Sequence, residues 1–241
     1  MVRVAVYSLS SCEGCISVIA TTLHRFLNEL RSFVDFEYFK IVLEPPLEAE
    51  ALYVDIAFVE GVPATEEDKR ALQLIRERSA KLVSLGTCAS TGGLGYSSSR
   101  YIRAGGASIE ALEPLSTYVK VDYALTGCPA NPEEFAQTLL LLAKGFNPRP
   151  SDYSVCFDCP LKGRACFLNK GVVCLGPVAM GGCGAPCPQL NIPCHGCRGP
   201  ALEADFDSFF KILEAKGLKH ELAEDMLRKF MGKFAIEVKV K

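Results

Sequence analysis

Twelve cysteines constrain this chain more than any other feature: Cys12, Cys15, Cys88, Cys128, Cys156, Cys159, Cys166, Cys174, Cys183, Cys187, Cys194 and Cys197. The last eight form two consecutive quartets, Cys156-x2-Cys-x6-Cys-x7-Cys174 and Cys183-x3-Cys-x6-Cys-x2-Cys197. At 241 residues the chain is long enough to bury a core without covalent staples. Strand-like residues begin at Val2 with no export pattern before them, so a cytoplasmic location is expected. Thiols stay reduced there and structural disulfides are rare. Metal ligation is then the leading reason for so many cysteines.

Composition narrows the partners. The chain is 49% hydrophobic and 22% charged, with a net charge of -2, which gives neither a nucleic-acid footprint nor a polybasic membrane signature. The longest apolar runs, such as residues 54–59 and 139–143, fall far short of the roughly 18 residues a membrane span needs.

Residues 1–147 alternate strand-like and helix-like patterns, which predicts a parallel sheet flanked by helices. Strands are expected at 2–9, 36–43, 54–59, 81–85 and 118–125. Ile16, Ile19, Leu23, Phe26, Leu27 and Leu30 recur at helical spacing and predict one helix; others are expected at 66–79 and 131–144, with loop across 94–115. Cys12 and Cys15, Cys88, and Cys128 each fall just beyond the carboxyl end of an expected strand, beside Gly14, Gly86 and Gly127. Open α/β sheets bind ligands at that edge, and glycine lets backbone approach a bulky group closely. Four thiols widely separated in sequence are thereby expected to converge.

The pattern stops at Asn147-Pro148-Arg149-Pro150, so a second domain is assigned to 148–241. Its first part is rich in Cys, Gly and Pro; helices follow around Phe206, Phe209, Phe210 and Leu213 and across 220–230, with a solvated tail at 235–241. Four thiolates per site leave zinc and iron–sulfur clusters as candidates. Prolines after Cys128, Cys159 and Cys187, and Leu168, Val172, Val173, Leu175 and Ile192 between ligands, favour clusters, whose potentials depend on dry, shielded sulfurs. A zinc-stabilised scaffold or interaction subunit without redox role is the alternative.

Cys12-Glu-Gly-Cys15, Gly86-Thr-Cys88, Gly127-Cys-Pro129 and the segment ending His195-Gly-Cys-Arg-Gly-Pro200 resemble, in order and over essentially the whole chain, the small electron-transferring subunit of nickel-iron hydrogenases. The resemblance implies a flavodoxin-like parallel sheet with helices on both faces, plus a mostly irregular cysteine-rich domain with C-terminal helices. It implies three 4Fe-4S clusters: proximal on Cys12, Cys15, Cys88 and Cys128, medial on Cys183, Cys187, Cys194 and Cys197, and distal on Cys156, Cys159, Cys166 and Cys174. In periplasmic relatives the distal site begins with a histidine and the medial site often lacks a thiolate; Cys156 and Cys187 stand in those places here. The all-cysteine sites and the absence of an export pattern resemble the cytoplasmic sulfhydrogenase-delta and deazaflavin-hydrogenase-gamma type. Partners implied are a nickel-iron large subunit and a flavin or iron–sulfur subunit that reduces NAD(P) or a deazaflavin. Single-cluster relatives such as the complex I subunit of similar fold lack the second cysteine-rich region.

Other residues carry plainer expectations. Glu60, on the same rim, reads as a loop-capping carboxylate more than as a partner of the cysteines. His195 sits in a complete quartet and is not assigned as a ligand; Arg198 is expected to be exposed. His24 and His220 lie on helical faces. Ser10 and Ser11 lack a base, so no nucleophile is assigned, and Gly92-Gly93-x-Gly95 follows a cysteine loop and is no dinucleotide fingerprint.

Overall fold

Along β1 (Val2–Ser8) the side chains alternate, with Val4 and Val6 packed on one face and Ala5 and Tyr7 on the other. A strand covered on both faces belongs inside a parallel sheet. In a computed structural model, which describes residues 1–40, 42, 52–93 and 112–232, β1 pairs in parallel with β2 (Val34–Phe39) and β3 (Val54–Glu60). β4 (Ser79–Leu85) and β5 (Tyr123–Leu125) complete the order β2-β1-β3-β4-β5, every neighbour parallel. This is the flavodoxin-like order of the α/β class.

Helices cover both faces. Ile16 and Ile19 of α1 (Gly14–Thr22) pack on the Val4, Val6, Ile56 and Phe58 face. The short α2 (Leu27–Leu30) contributes Leu30 to the same side. Leu72 and Ile75 of α3 (Glu66–Glu77) pack on the opposite face against Val59 and Leu82. α4 (Gly86–Thr91) starts directly where β4 ends. Phe135, Leu139 and Leu142 of α5 (Pro132–Ala143) return to the α1 face, where Phe135 meets Phe58 with ring centroids 4.7 Å apart. Thr65 and Asp68 close a reciprocal capping box at α3, and Asn131 caps α5 through the Glu134 N–H.

Three expectations need correction. The single helix expected through Ile16 and Leu30 breaks after Thr22: the Thr21 and Thr22 hydroxyls both donate to the Val18 carbonyl, at 3.0 and 2.7 Å, and a 3-10 turn at Leu23–Arg25 follows. The last strand spans Tyr123–Leu125 only, because Leu115–Thr117 is a 3-10 turn and the Asp122 carboxylate accepts the Leu82 N–H at 2.9 Å. That carboxylate also binds Arg76 at 2.6 Å, and β5 begins only after it. β2 ends at Phe39; residues 41 and 43 of its expected run, the 94–111 part of the expected loop and the expected tail at 235–241 lie outside the described residues.

The chain divides into two units, Met1–Pro150 and Ser151–Lys241. The second has little regular structure before its C-terminal helices: α6 (Val155–Asp158), a 3-10 turn at Phe167–Lys170 and α7 (Pro186–Gln189). α8 (Phe206–Ala215), capped by Asp205, and α9 (His220–Met231) supply Phe209, Leu213, Leu227 and Met231 to a core shared with Phe167, Leu175 and Val178. This apolar cluster supports the irregular cysteine-bearing backbone.

Phe135→Ala removes the ring that joins α5 to the sheet and should cost the first unit about 3–5 kcal/mol, whereas Thr65→Ala should cost about 1 kcal/mol. Chemical denaturation of the two variants checks both the size and the ranking.

Candidate functional site

Because all strands are parallel, the loops that follow β1, β3, β4 and β5 emerge at one edge. Those loops are laced together. The Thr87 N–H donates to the Gly127 carbonyl at 2.9 Å, and the Gly127 N–H donates back to Thr87 Oγ1 at 3.2 Å. The Ala130 N–H donates to Cys15 Sγ at 3.4 Å, which ties the Cys128 loop to the start of α1. A Cβ at Gly86 would overlap Cys15 Sγ, and one at Gly93 would lie 3.2 Å from Cys88 Sγ. Cys15 is buried, Cys88 and Cys128 are half-buried, and Cys12 is exposed on the loop ahead of them.

Glu60 is the charged centre of this edge. It is 2% exposed, and its two carboxylate oxygens accept the N–H groups of Cys15 at 3.0 Å and Ile16 at 3.2 Å. The α1 N-terminus has no cap of its own, because Glu13 stands there in the left-handed region without a side-chain bond. Glu60 therefore caps α1 from another strand, and a negative charge suits the helix N-terminus. The capping role expected of Glu60 is the one observed, and it holds the backbone of Cys15.

A second device is not legible in the sequence. Asp68 Oδ2 accepts from Ser10 Oγ at 2.8 Å and from the N–H groups of Ala64 and Thr65 at 3.1 and 3.0 Å. It thus pins the loop carrying Cys12 to the start of α3. The Thr-x-x-Asp capping pattern is visible in the sequence; its reach to Ser10 is not. Ser11 shares a hydrogen bond with Ser8, so both Ser10 and Ser11 are loop fasteners.

In the second unit, Cys156, Cys159, Cys166 and Cys174 line one cavity of about 140 Å³, together with Leu161 and Phe167. Burial and the neighbouring Cys174, Cys159 and Cys166 push the Cys156 thiol up to about 12. Burial likewise raises Cys194, which also feels Cys174, Cys197 and Cys183, and it raises Cys187, which feels Cys183. In the first unit, burial and then Glu60 push Cys15 upward. Burial thus favours the protonated form of these thiols, and binding a metal would require the proton to leave. Among the described residues no three His, Cys, Asp or Glu side chains converge closely enough to chelate a single metal ion.

His195 is exposed beside buried Cys194. Arg198 corrects the expectation of exposure: it is 4% exposed, because the turn closed by the Gly199 N–H on the Gly196 carbonyl carries it inward toward Gly182. His24 faces solvent with Nδ1 near the Thr21 carbonyl, and His220 packs its ring 4.9 Å from that of Phe210.

The family model described as NADH ubiquinone oxidoreductase, 20 Kd subunit, matches residues 12–142, a span that includes Cys12, Cys15, Cys88 and Cys128 and ends before Cys156. Over 222 residues the chain is 35% identical to sulfhydrogenase 2 subunit delta of Pyrococcus furiosus, covering 88% of this chain and 92% of that one. It is 31% identical to a subunit of the F420-non-reducing hydrogenase vhu of Methanocaldococcus jannaschii, covering 82% of each chain. A chain of an NAD+-reducing NiFe-hydrogenase in the H2-reduced state aligns with a TM-score of 0.51 and 26% identity, over 61% of this chain and 94% of that one. The fold also matches a chain of the reduced Ni-Fe-Se hydrogenase from Desulfomicrobium baculatum, with a TM-score of 0.61 at 18% identity, over 84% and 96% of the two chains.

Glu60→Ala leaves two buried N–H groups unpaired and should destabilise the first unit by about 1–3 kcal/mol per group, while Glu60→Gln, which keeps one acceptor, should lose less. Denaturation midpoints of the two variants test this ranking; equal losses would show that the carboxylate does not hold Cys15.

Proposed function

Because this chain belongs to the NADH ubiquinone oxidoreductase 20 Kd subunit family and aligns along most of its length with hydrogenase subunits, we propose that it is the electron-relay subunit of a heteromeric nickel-iron hydrogenase. Kinship at that identity and coverage makes it a component of an oxidoreductase acting on H2, with the electron-transfer role of a small subunit. The finer reading is three 4Fe-4S clusters. Cys12, Cys15, Cys88 and Cys128 hold the proximal one, Cys183, Cys187, Cys194 and Cys197 the medial one, and Cys156, Cys159, Cys166 and Cys174 the distal one.

The observation that carries this reading is the lacing of the Cys15, Cys88 and Cys128 loops at one sheet edge, in a chain with eight further cysteines in its second unit. The donor set fits: soft thiolates bind iron–sulfur clusters in fours. The missing Cβ of Gly86 lets Cys15 Sγ sit directly against the loop that carries Cys88.

Each cluster, when bound, takes up and releases one electron. The chain's own residues supply the rest: Glu60 holds the Cys15 backbone, amide donors such as Ala130 and Gly196 stabilise thiolate charge, and apolar neighbours exclude water. Hydrogen is split or formed in the nickel-iron large subunit, and electrons pass to a flavin or iron–sulfur subunit that reduces NAD(P) or a deazaflavin. The complex is placed in the cytoplasm, a compartment that keeps ligand thiols reduced. No helix among the described residues is long and apolar enough to cross a membrane.

Iron and acid-labile sulfide should each reach about twelve per chain, as three four-iron clusters on cysteine quartets require, in a complex that co-purifies a nickel subunit. A colourless protein with two or three zincs would instead support the scaffold reading. Cys187 lies in the first turn of α7, where proline is tolerated. Cys187→Pro should therefore keep the backbone while converting the medial centre to a three-iron cluster, detected by electron paramagnetic resonance of the oxidised protein; an unchanged four-iron spectrum would show that Cys187 is not a ligand.

A further inference from the structure

Of the eight cysteines in the second unit, only Cys174 and Cys194 are buried, and they belong to different quartets. Their backbones meet. The Cys194 N–H donates to Cys174 Sγ at 3.2 Å, and the Leu175 N–H donates to the Cys194 carbonyl at 2.8 Å. Cys194 also lines the cavity surrounded by the four thiols of the first quartet.

Gly176 occupies the junction. A Cβ there would lie 3.1 Å from Cys156 Sγ, 3.6 Å from Cys174 Sγ and 3.9 Å from Cys194 Cβ. Gly163, Gly184 and Gly217 have positive φ and open space around them, so each is required by its backbone angle. Gly176 is the reverse case: its φ is not positive, so the position demands space and not conformation. A methyl group there would press on Cys156 Sγ and fill the remaining space between Cys174 Sγ and Cys194 Cβ.

We propose that Gly176 is a positioning residue that lets the two quartets meet through the Cys194 N–H to Cys174 Sγ hydrogen bond, and that this bond is the electron route between them. The inference rests on the reading that each quartet holds a cluster. One electron leaves the centre on one quartet and enters the centre on the other; no bond breaks and no proton moves. An N–H aimed at a ligand sulfur favours the more negative, reduced state and raises the potential of that centre. The bond thus couples the quartets and biases the electron toward the Cys156–Cys174 side.

The test uses the complete hydrogenase complex carrying Gly176→Ala. Expected are retained iron, a lowered midpoint potential for the first-quartet cluster, a weakened spin–spin interaction between the two reduced clusters, and severalfold slower hydrogen-driven reduction of methyl viologen. Gly217→Ala, which strains the backbone at a position where an added Cβ meets nothing within 4 Å, should move none of these. Retained iron with unchanged potential and spin interaction overturns the proposal. The Gly176 N–H also points at Cys174 Sγ, so should Gly176→Ala lose iron, electron–nuclear double resonance on the unmutated complex with 15N-labelled cysteine decides: the first-quartet cluster must show a coupled, slowly exchanging amide proton on a cysteine nitrogen. Absence of that proton also overturns it. An unmutated complex without clusters on these quartets overturns the functional reading itself, and the inference with it.

Discussion

Every neighbouring pair of strands in this sheet runs parallel, and the candidate site of the first unit depends on that one constraint. Parallel pairing sends the ends of β1, β3, β4 and β5 to the same edge, so Cys15, Glu60, Cys88 and Cys128 gather there although far apart in sequence. Packing on both faces makes the strand ends a fixed frame. The short hydrogen bonds between Thr87 and Gly127 then have little freedom left to remove. An antiparallel insertion would send one of these loops to the opposite edge.

The second constraint is electrostatic. A thiolate loses much of its hydration when buried, and Cys15, Cys156 and Cys194 accordingly favour the protonated form. Such thiols gain little from burial alone; a bound metal centre would offset the cost and release the protons. The amides aimed at Cys15, Cys174 and Cys194 partly prepare for that charge. Arranged donors and dry walls are this chain's own contribution, and redox chemistry would come from a bound group.

The two units differ in how much of their structure sequence periodicity reveals. In the first, apolar runs located all five strands, but the expected 118–125 began well before Tyr123 and the expected 36–43 overran Phe39; errors arose where side chains competed with backbone: Thr21 and Thr22 interrupted a helix, and Asp122 preceded a strand cut to three residues. In the second, short turns and glycines leave no period to read; cysteine spacing groups the thiols into two quartets, and one cavity is lined by all four thiols of the first together with Cys194 of the second. Arg198 went inward because a glycine turn aims it there, which composition does not convey.

The sequence by itself determined the soft thiol donor set, the spacing of the cysteines and the α/β alternation, because these depend on residue type and on neighbours a few positions away. Only the tertiary structure decided that Glu60 would cap α1 from β3, that Asp68 would hold the Cys12 loop through Ser10, and that Cys194 would donate to Cys174 over Gly176. Each of these joins residues brought together by strand order or loop packing, and such a contact exists only once the intervening chain has folded.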